Sequence, residues 1–384
     1  MNGTAESHAW KRLNQVKNVL FIQVLNSFVG GVLGVAVPLM MEARNVDVVV
    51  IGLVFAIMPL IMQLGRMVFA TASDFWGRKM FFVFNGVLGV VSGLIYYVAY
   101  SPLEFLFGKV VEGTKEGSLW AVNRAFLLEK NGGHWRILVY LRTVAYVAYA
   151  VGSLVAGFLI VWLFFEGTML VCAVFGVFVI ALGFLLVSEK RERFSVAKAQ
   201  KFLDFRKKSR VFKIFLALFL VLGLSFGLVE GFVFPLFLGN VGFGVEEIGL
   251  IIGVEIFVAG LSSYLFSKTS RMRELILLSG ILFTVTLLLL GFTSWIFGAM
   301  LVIFFGLAQG ISSIGQEGIL SKICDVECYG TDIALLMMGL HLGESLSLAL
   351  SGFLISLWGF VAPFVLAAST HVFFYVGSYV VLKE

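Results

Sequence analysis

Twelve long apolar runs constrain this chain more than any other feature. They span 18–41, 48–71, 80–100, 103–127, 137–160, 168–188, 212–238, 247–267, 275–293, 296–321, 333–356 and 361–382. Each is close to the roughly 20 apolar residues that a helix needs to cross a bilayer. The runs are continuous rather than alternating, which excludes a transmembrane β-barrel. Hydrophobic residues make up 60% of the chain and charged residues 13%, against about 25% charged in a soluble domain. A soluble fold has too little interior for this much apolar surface. The expected fold class is therefore an all-α membrane protein of twelve transmembrane helices, with the lipid bilayer as its solvent. The forty Phe suit either lipid-facing helices or an apolar pocket.

The links between spans carry a strong charge asymmetry. Five basic residues (Arg66, Lys109, Lys115, Arg124, Arg142) fall within spans. Of the others, only Arg44 lies on one side. The rest share the opposite side with both termini and with the long middle link, which, counted through the first residues of the seventh span, holds Lys190, Arg191, Arg193, Lys198, Lys201, Arg206, Lys207, Lys208, Arg210 and Lys213. By the positive-inside rule both termini are expected in the cytoplasm, in a multi-pass protein of the cell inner membrane. The first 17 residues are polar and the first apolar run is too long for a secretory h-region. The net charge of +5 then belongs to the cytoplasmic membrane surface, and nucleic acid is not an expected partner. No metal or cofactor is expected. Cys324 and Cys328 form a CxxxC beside Asp325 and Glu327, but no His is near and structural zinc wants four ligands.

The chain also repeats itself. Gly30, Gly34 and Pro38 recur as Gly227, Gly231 and Pro235. Ile51-Gly52-Leu53 recurs as Ile248-Gly249-Leu250, and Glu112-Gly113 as Gln309-Gly310. Gly157-Phe158-Leu159-Ile160 recurs as Gly352-Phe353-Leu354-Ile355. The offset is nearly constant, so two six-helix pseudo-repeats around a central cavity are expected. The halves are 1–188 and 212–384, joined by a basic cytoplasmic linker, 189–211. Such repeats place a binding site near the bilayer midplane, between halves that rock against each other. The glycine pairs read as small-xxx-small packing stripes. Pro38 and Pro235 are expected to kink their helices.

Between spans 2 and 3 lies ATASDFWGRKM, residues 70–80. It resembles the loop signature G-x-x-x-D-[RK]-x-G-R-[RK] of the major facilitator superfamily. Asp74, Gly77, Arg78 and Lys79 match; Ala70 and Phe75 depart from it. Lys109-Val-Val-Glu112-Gly113 in span 4 is similar to that family's R-x-x-Q-G. Gly152-Ser-Leu-Val-Ala156-Gly157 in span 5 is similar to the G-P-x-x-G-G of its antiporters, without the Pro. The resemblance implies a secondary transporter working by alternating access. It also implies a cytoplasmic gate latch of Asp74, Arg78 and Arg124, with Gly77 allowing the tight reversal, and a cavity lined by spans 1, 4, 7 and 10.

Span 4 holds charges that a lipid-facing helix cannot carry. At about 100° per residue, Lys109, Glu112, Glu116, Trp120 and Asn123 share one face. A charge in hydrocarbon costs about 2.5–3.5 kcal/mol even on lenient scales, so this face must meet protein or water. Lys109 and Glu112, three residues apart, can partly neutralise each other. Lys115 lies off the stripe and is expected to pair with another helix. Further candidate cavity residues are Asn26, Arg142, Tyr146, Glu230, Gln309, Glu317, His341 and Glu344. Membrane-embedded ionisable groups usually mark a pathway or a proton relay, so Glu112 and Glu116 are the first candidates for carrying protons.

No phosphate-binding G-x-x-x-x-G-K-[ST] or H-E-x-x-H is present, so neither ATP-driven transport nor an enzyme is expected. The leading expectation is proton-coupled export (antiport) of amphipathic or drug-like small molecules. The alternative is proton-coupled uptake of a polar solute, a sugar or an organic anion, attracted by Lys109, Lys115, Arg124 and Arg142.

Overall fold

A computed structural model describes residues 2–130, 136–186, 208–269, 271–293, 295–324 and 329–382. Within these ranges the side chains of 2–13, 71, 74, 75, 121, 136, 139, 272, 295 and 329–331 lie outside the description, as do Cys328 and most of the 189–211 linker. The described residues are almost entirely helical. The helices are α1 (Asn2–Ala43), α2 (Val48–Trp76), α3 (Arg78–Val98), α4 (Pro102–Lys130), α5 (Arg136–Phe184) and α6 (Arg210–Gly227). They continue with α7 (Val233–Val241), α8 (Val245–Phe266), α9 (Met272–Leu290), α10 (Trp295–Ile323), α11 (Tyr329–Trp358) and α12 (Val361–Val381).

Among the described residues, ten of these helices have a stretch long and apolar enough to cross a membrane. Helix α5 supplies two crossings, because Phe164 (φ 58, ψ 179) interrupts it, and Thr168 Oγ1 donates to the Phe164 carbonyl at 2.8 Å. Helix α4 completes the twelve, its apolar stretch being interrupted by charges. The seventh crossing is broken rather than continuous: α6 stops at Gly227 and α7 starts at Val233. Pro235 explains the position. It lacks the N–H that would bond the Gly231 carbonyl, and its ring crowds that carbonyl. Gly231 itself adopts φ 69, a conformation open to glycine. The expected kink at Pro235 is thus a break four residues upstream, whereas α1 stays helical through Pro38.

Ends are fixed locally. The Asp47 carboxylate accepts from the Val49 N–H at 2.8 Å, and Ser209 Oγ accepts from the Phe212 N–H at 3.1 Å; each cap satisfies an orphan helix donor. Gly77 (φ 82) is at once the end of α2 and the start of α3, the tight reversal expected of it.

In the first half α1 and α3 pack on α5, and α4 packs on α2 and α3. In the second, α6 packs on α11 and α12, α8 on α10, and α9 on α10 and α12. The halves meet where α5 faces α8 and α2 faces α11. The repeated glycines build that seam. A Cβ on Gly52 would lie 3.2 Å from the Gly352 Cα, and one on Gly249 would lie 3.3 Å from the Gly157 Cα. These are the same contact made twice by the internal repeat. Both lie at the end of the bundle opposite the chain termini. Phenylalanine serves two purposes. Phe105, Phe212, Phe215, Phe219, Phe232, Phe283 and Phe305 are fully buried between helices, while others such as Phe107, Phe158, Phe178 and Phe373 face outward, where lipid would lie.

Candidate functional site

Polar side chains gather at mid-height of the bundle. On α4, Lys109 Nζ lies 2.9 Å from Glu112 Oε2, and the Tyr96 hydroxyl of α3 donates to the same oxygen at 2.7 Å. The ammonium also sits 4.2 Å above the Phe55 ring. Lys109 and Glu112 are almost sealed from solvent, at 2% and 4% exposure. A turn further on, Asn26 of α1 donates to both Glu116 oxygens at 3.0 and 3.1 Å. Then Asn123 donates to Gln23 of α1 at 2.7 Å. The expected stripe on α4 therefore faces α3 at its upper end and α1 below. Lys115 does not reach another helix with its charge: its Nζ lies 3.2 Å from the adjacent Glu116. What reaches Lys115 from elsewhere is the Asn85 amide of α3, which donates to its backbone carbonyl at 2.8 Å.

The second half contributes a different kind of site. Glu230 sits in the break between α6 and α7, where Gln309 of α10 donates to it at 2.7 Å. Gln309 is the repeat counterpart of Glu112. On α11, His341 Nδ1 lies 3.0 Å from Glu344. Glu255 of α8 is buried, and its Oε1 has no hydrogen-bond partner among the described residues. Glu230 is within electrostatic reach of both Glu344 and Glu255. None of these three carboxylates touches a Lys or Arg among the described residues. The contrast with the Lys-matched acids of α4 is one of charge balance.

Tyr149 of α5 lies between the two sets. Its hydroxyl fits where α1 has no side chain: a Cβ on Gly34 would be 2.5 Å from it. It feels Glu112, Glu116, Glu230 and Glu255 together. Nearer the termini, Arg142 of α5 pairs with Glu317 of α10 across the halves at 2.6 Å. Tyr146 lies alongside, its ring centroid 5.8 Å from the guanidinium.

The expected latch is placed only in part. Arg78 pairs with Glu129 in the last turn of α4, and Lys79 donates to the Phe184 carbonyl at 2.8 Å. Arg124 stands 4.9 Å from the Trp120 ring centroid, and Arg66 of α2 stands 5.5 Å from the same ring. The Asp74 side chain lies outside the described residues.

Sequence reasoning did not assign Tyr96, Glu129, Arg66, Tyr149 or Glu255 to the site. Tyr149 carried a usable signal, since Arg142, Tyr146 and Tyr149 share one face of α5 and Gly30 and Gly34 leave room on α1. Nothing in the order of residues points Tyr96 at Glu112.

A sequence model described as Major Facilitator Superfamily matches residues 19–313. No curated protein sequence matches the chain. Two crystal structures of the nucleoside transporter NupG are similar in fold. One, of a point mutant, aligns with a TM-score of 0.80 and 12% identity over 96% of this chain and 100% of that one. The other aligns with a TM-score of 0.75 and 14% identity over 97% and 100%.

Proposed function

Since the chain belongs to the major facilitator superfamily, we propose that it is a proton-coupled antiporter that exports small amphipathic cations. Secondary transport of a small solute follows from the family and the fold, and it implies a carrier rather than an enzyme. The finer reading rests on one observation: Glu230, Glu255 and Glu344 lie close together without a Lys or Arg partner among the described residues. Neighbouring carboxylates repel one another, the more so where one of them is buried as Glu255 is, and a cation that joins them relieves the repulsion. That cation is a proton, on a carboxyl or on His341 beside Glu344, or the solute, and competition between proton and solute is what exchange requires.

In this reading the solute enters from the cytoplasm and displaces protons from Glu230 and Glu344; protons from the far side later displace the solute. Glu116, which borders α1 through Asn26, is a third proton carrier. Glu112, held by Lys109 and Tyr96, has a structural task. Tyr149 supplies an aromatic face at the junction of the halves. The termini and the 189–211 linker are assigned to the cytoplasm on the Lys and Arg distribution. Asp74 with Arg124 remains the proposed cytoplasmic latch, while Arg78 anchors to α4 through Glu129.

The second reading, proton-coupled uptake of a polar solute, is favoured by the carboxamides of Asn26 and Gln309 in the same layer. The likeness in fold to a nucleoside transporter points the same way. A thermal-stability panel separates the two, because a ligand that binds only the folded state raises stability by RT ln(1 + [L]/Kd). Tetraphenylphosphonium is expected to stabilise the protein, more strongly at higher pH, and Glu230→Gln is expected to remove that pH dependence. Stabilisation by sugars or nucleosides with no response to lipophilic cations would overturn the export reading.

A further inference from the structure

Three of the cations embedded in the bundle are matched by carboxylates: Lys109, Lys115 and Arg142 lie 2.9, 3.2 and 2.6 Å from Glu112, Glu116 and Glu317. Arg66 is different. It touches no carboxylate among the described residues, and the charge nearest to it in effect is the like charge of Arg124. Both guanidinium groups lie over one ring, Trp120, at 5.5 and 4.9 Å from its centroid. Arg66 does not escape to lipid or to a membrane surface. Leu64 and Val68, two residues to either side of it, are 61% and 62% exposed on the outer face of α2. A step of two residues turns an α-helix by about 200°, so Arg66 leaves α2 on the inward side.

The backbone beneath this group is unusually close. A Cβ on Gly117 of α4 would lie 2.7 Å from the Met62 carbonyl oxygen and 3.1 Å from the Arg66 nitrogen. Arg66 and Trp120 therefore project from two helices locked together, and their spacing is set before any ligand arrives. The site lies in the half of the bundle nearer the termini, on the α2–α4 wall, whereas the unmatched carboxylates lie in the second half of the chain.

We propose that Arg66, held over Trp120 beside Arg124, forms an anion subsite that takes the carboxylate group of a small organic solute. A planar guanidinium donates two parallel N–H bonds to a carboxylate, a geometry a Lys ammonium does not offer. The carboxylate would compensate the Arg66 charge in a half-buried place, which the ring face alone does only in part. Together with the carboxylates near Glu230, the cavity then offers one anion-binding and one cation-binding wall. It suits solutes that carry both charges, or an anion alone. The subsite does not depend on the proton-coupled reading, since neither Arg66 nor Trp120 takes part in it.

Benzoate is a suitable probe, with thermal stability of the purified protein followed at constant ionic strength. The parent protein is expected to show saturable stabilisation. Arg66→Gln is expected to weaken the apparent affinity at least about tenfold, as loss of a charge-assisted pair would, while its response to tetraphenylphosphonium persists. Arg271→Gln, which removes an exposed surface cation, is expected to leave the benzoate response unchanged. If Arg66→Gln does not yield folded protein, Arg66→Lys takes its place, with weakened but measurable binding expected because the charge stays and the fork is lost. The absence of a saturable benzoate response in the parent, or an unchanged affinity in the Arg66 variant, overturns the proposal. Loss of the tetraphenylphosphonium response alone counts against the export reading and leaves the anion subsite standing.

Discussion

Lys109 shows what a charge deep in an apolar bundle demands. Its ammonium has one carboxylate, the aromatic faces of Phe55 and Tyr96, and almost no water. Removing one partner of such a pair leaves the other charge buried without compensation, which costs about 3–5 kcal/mol. Lys109→Ala is therefore expected to destabilise the folded protein by about that amount in detergent unfolding. The double variant Lys109→Met with Glu112→Leu is expected to recover most of the loss, and a double variant as unstable as the single one would show that the pair itself is needed. Transport should divide these acids differently. In proteoliposomes, Glu230→Gln is expected to abolish solute-driven proton movement, whereas Glu112→Gln is expected to lower stability and leave coupling in place. Equal loss of coupling in both would return the proton to Glu112. The stripe on α4 was legible in the sequence, because helical periodicity alone puts Lys109, Glu112, Glu116 and Asn123 on one face. The balance of charge was legible only where the partner is local, as Glu112 is for Lys109. Arg66 has no acid within a turn of it in sequence, and whether such a cation meets a carboxylate depends on neighbours far away in the chain.

The seventh crossing shows how one local rule gives two outcomes. Gly34 and Pro38 in α1 repeat as Gly231 and Pro235, yet α1 runs on as helix while the second copy opens between Gly227 and Val233. In α1 the glycines lean on Tyr149; at the second copy Gly231 turns to φ 69 and meets the side chains of Leu348 and Phe55. Sequence reading identified both prolines as weak points but treated 212–238 as one span, because an apolar run reveals where a helix can lie and not whether tertiary contacts keep it whole. The break exposes Glu230 to its partner Gln309. Gly231→Ala would place a side chain in the left-handed region, costing about 1–2 kcal/mol, with the new methyl 3.0 Å from Leu348. The expected result is a lower unfolding temperature and slower transport, with Gly34→Ala testing the first copy against Tyr149. An unchanged melting temperature for Gly231→Ala would mean that the break relaxes without strain.

At the scale of the whole molecule, the internal repeat was visible in the sequence, but what its glycines meet was not. Gly52 and Gly157 sit in one half, Gly249 and Gly352 in the other. The pairs that touch, Gly52 with Gly352 and Gly249 with Gly157, cross between halves. Sequence spacing gives the offset between copies; it carries no information on which copy faces which. Their placement makes the seam at the end opposite the termini a backbone contact. Nearer the termini the halves meet through side chains, with Arg142 on Glu317 and the Gln63 amide donating to the Ala334 carbonyl at 3.0 Å. Backbone-close contacts tolerate no added volume, because packed interiors have little free space, whereas side-chain contacts can part and re-form. Gly52→Val and Gly249→Val are therefore each expected to hold the seam open. Spin labels at Leu103 and Leu357, both exposed near that end on opposite halves, would report it as a longer distance in pulsed electron resonance. The pseudo-symmetry makes a sharper demand, since the two contacts are copies of one another. Both substitutions should shift the distribution in the same direction and by similar amounts. A shift from one and none from the other would show that a single contact holds the end shut, and that the halves move as unequal partners.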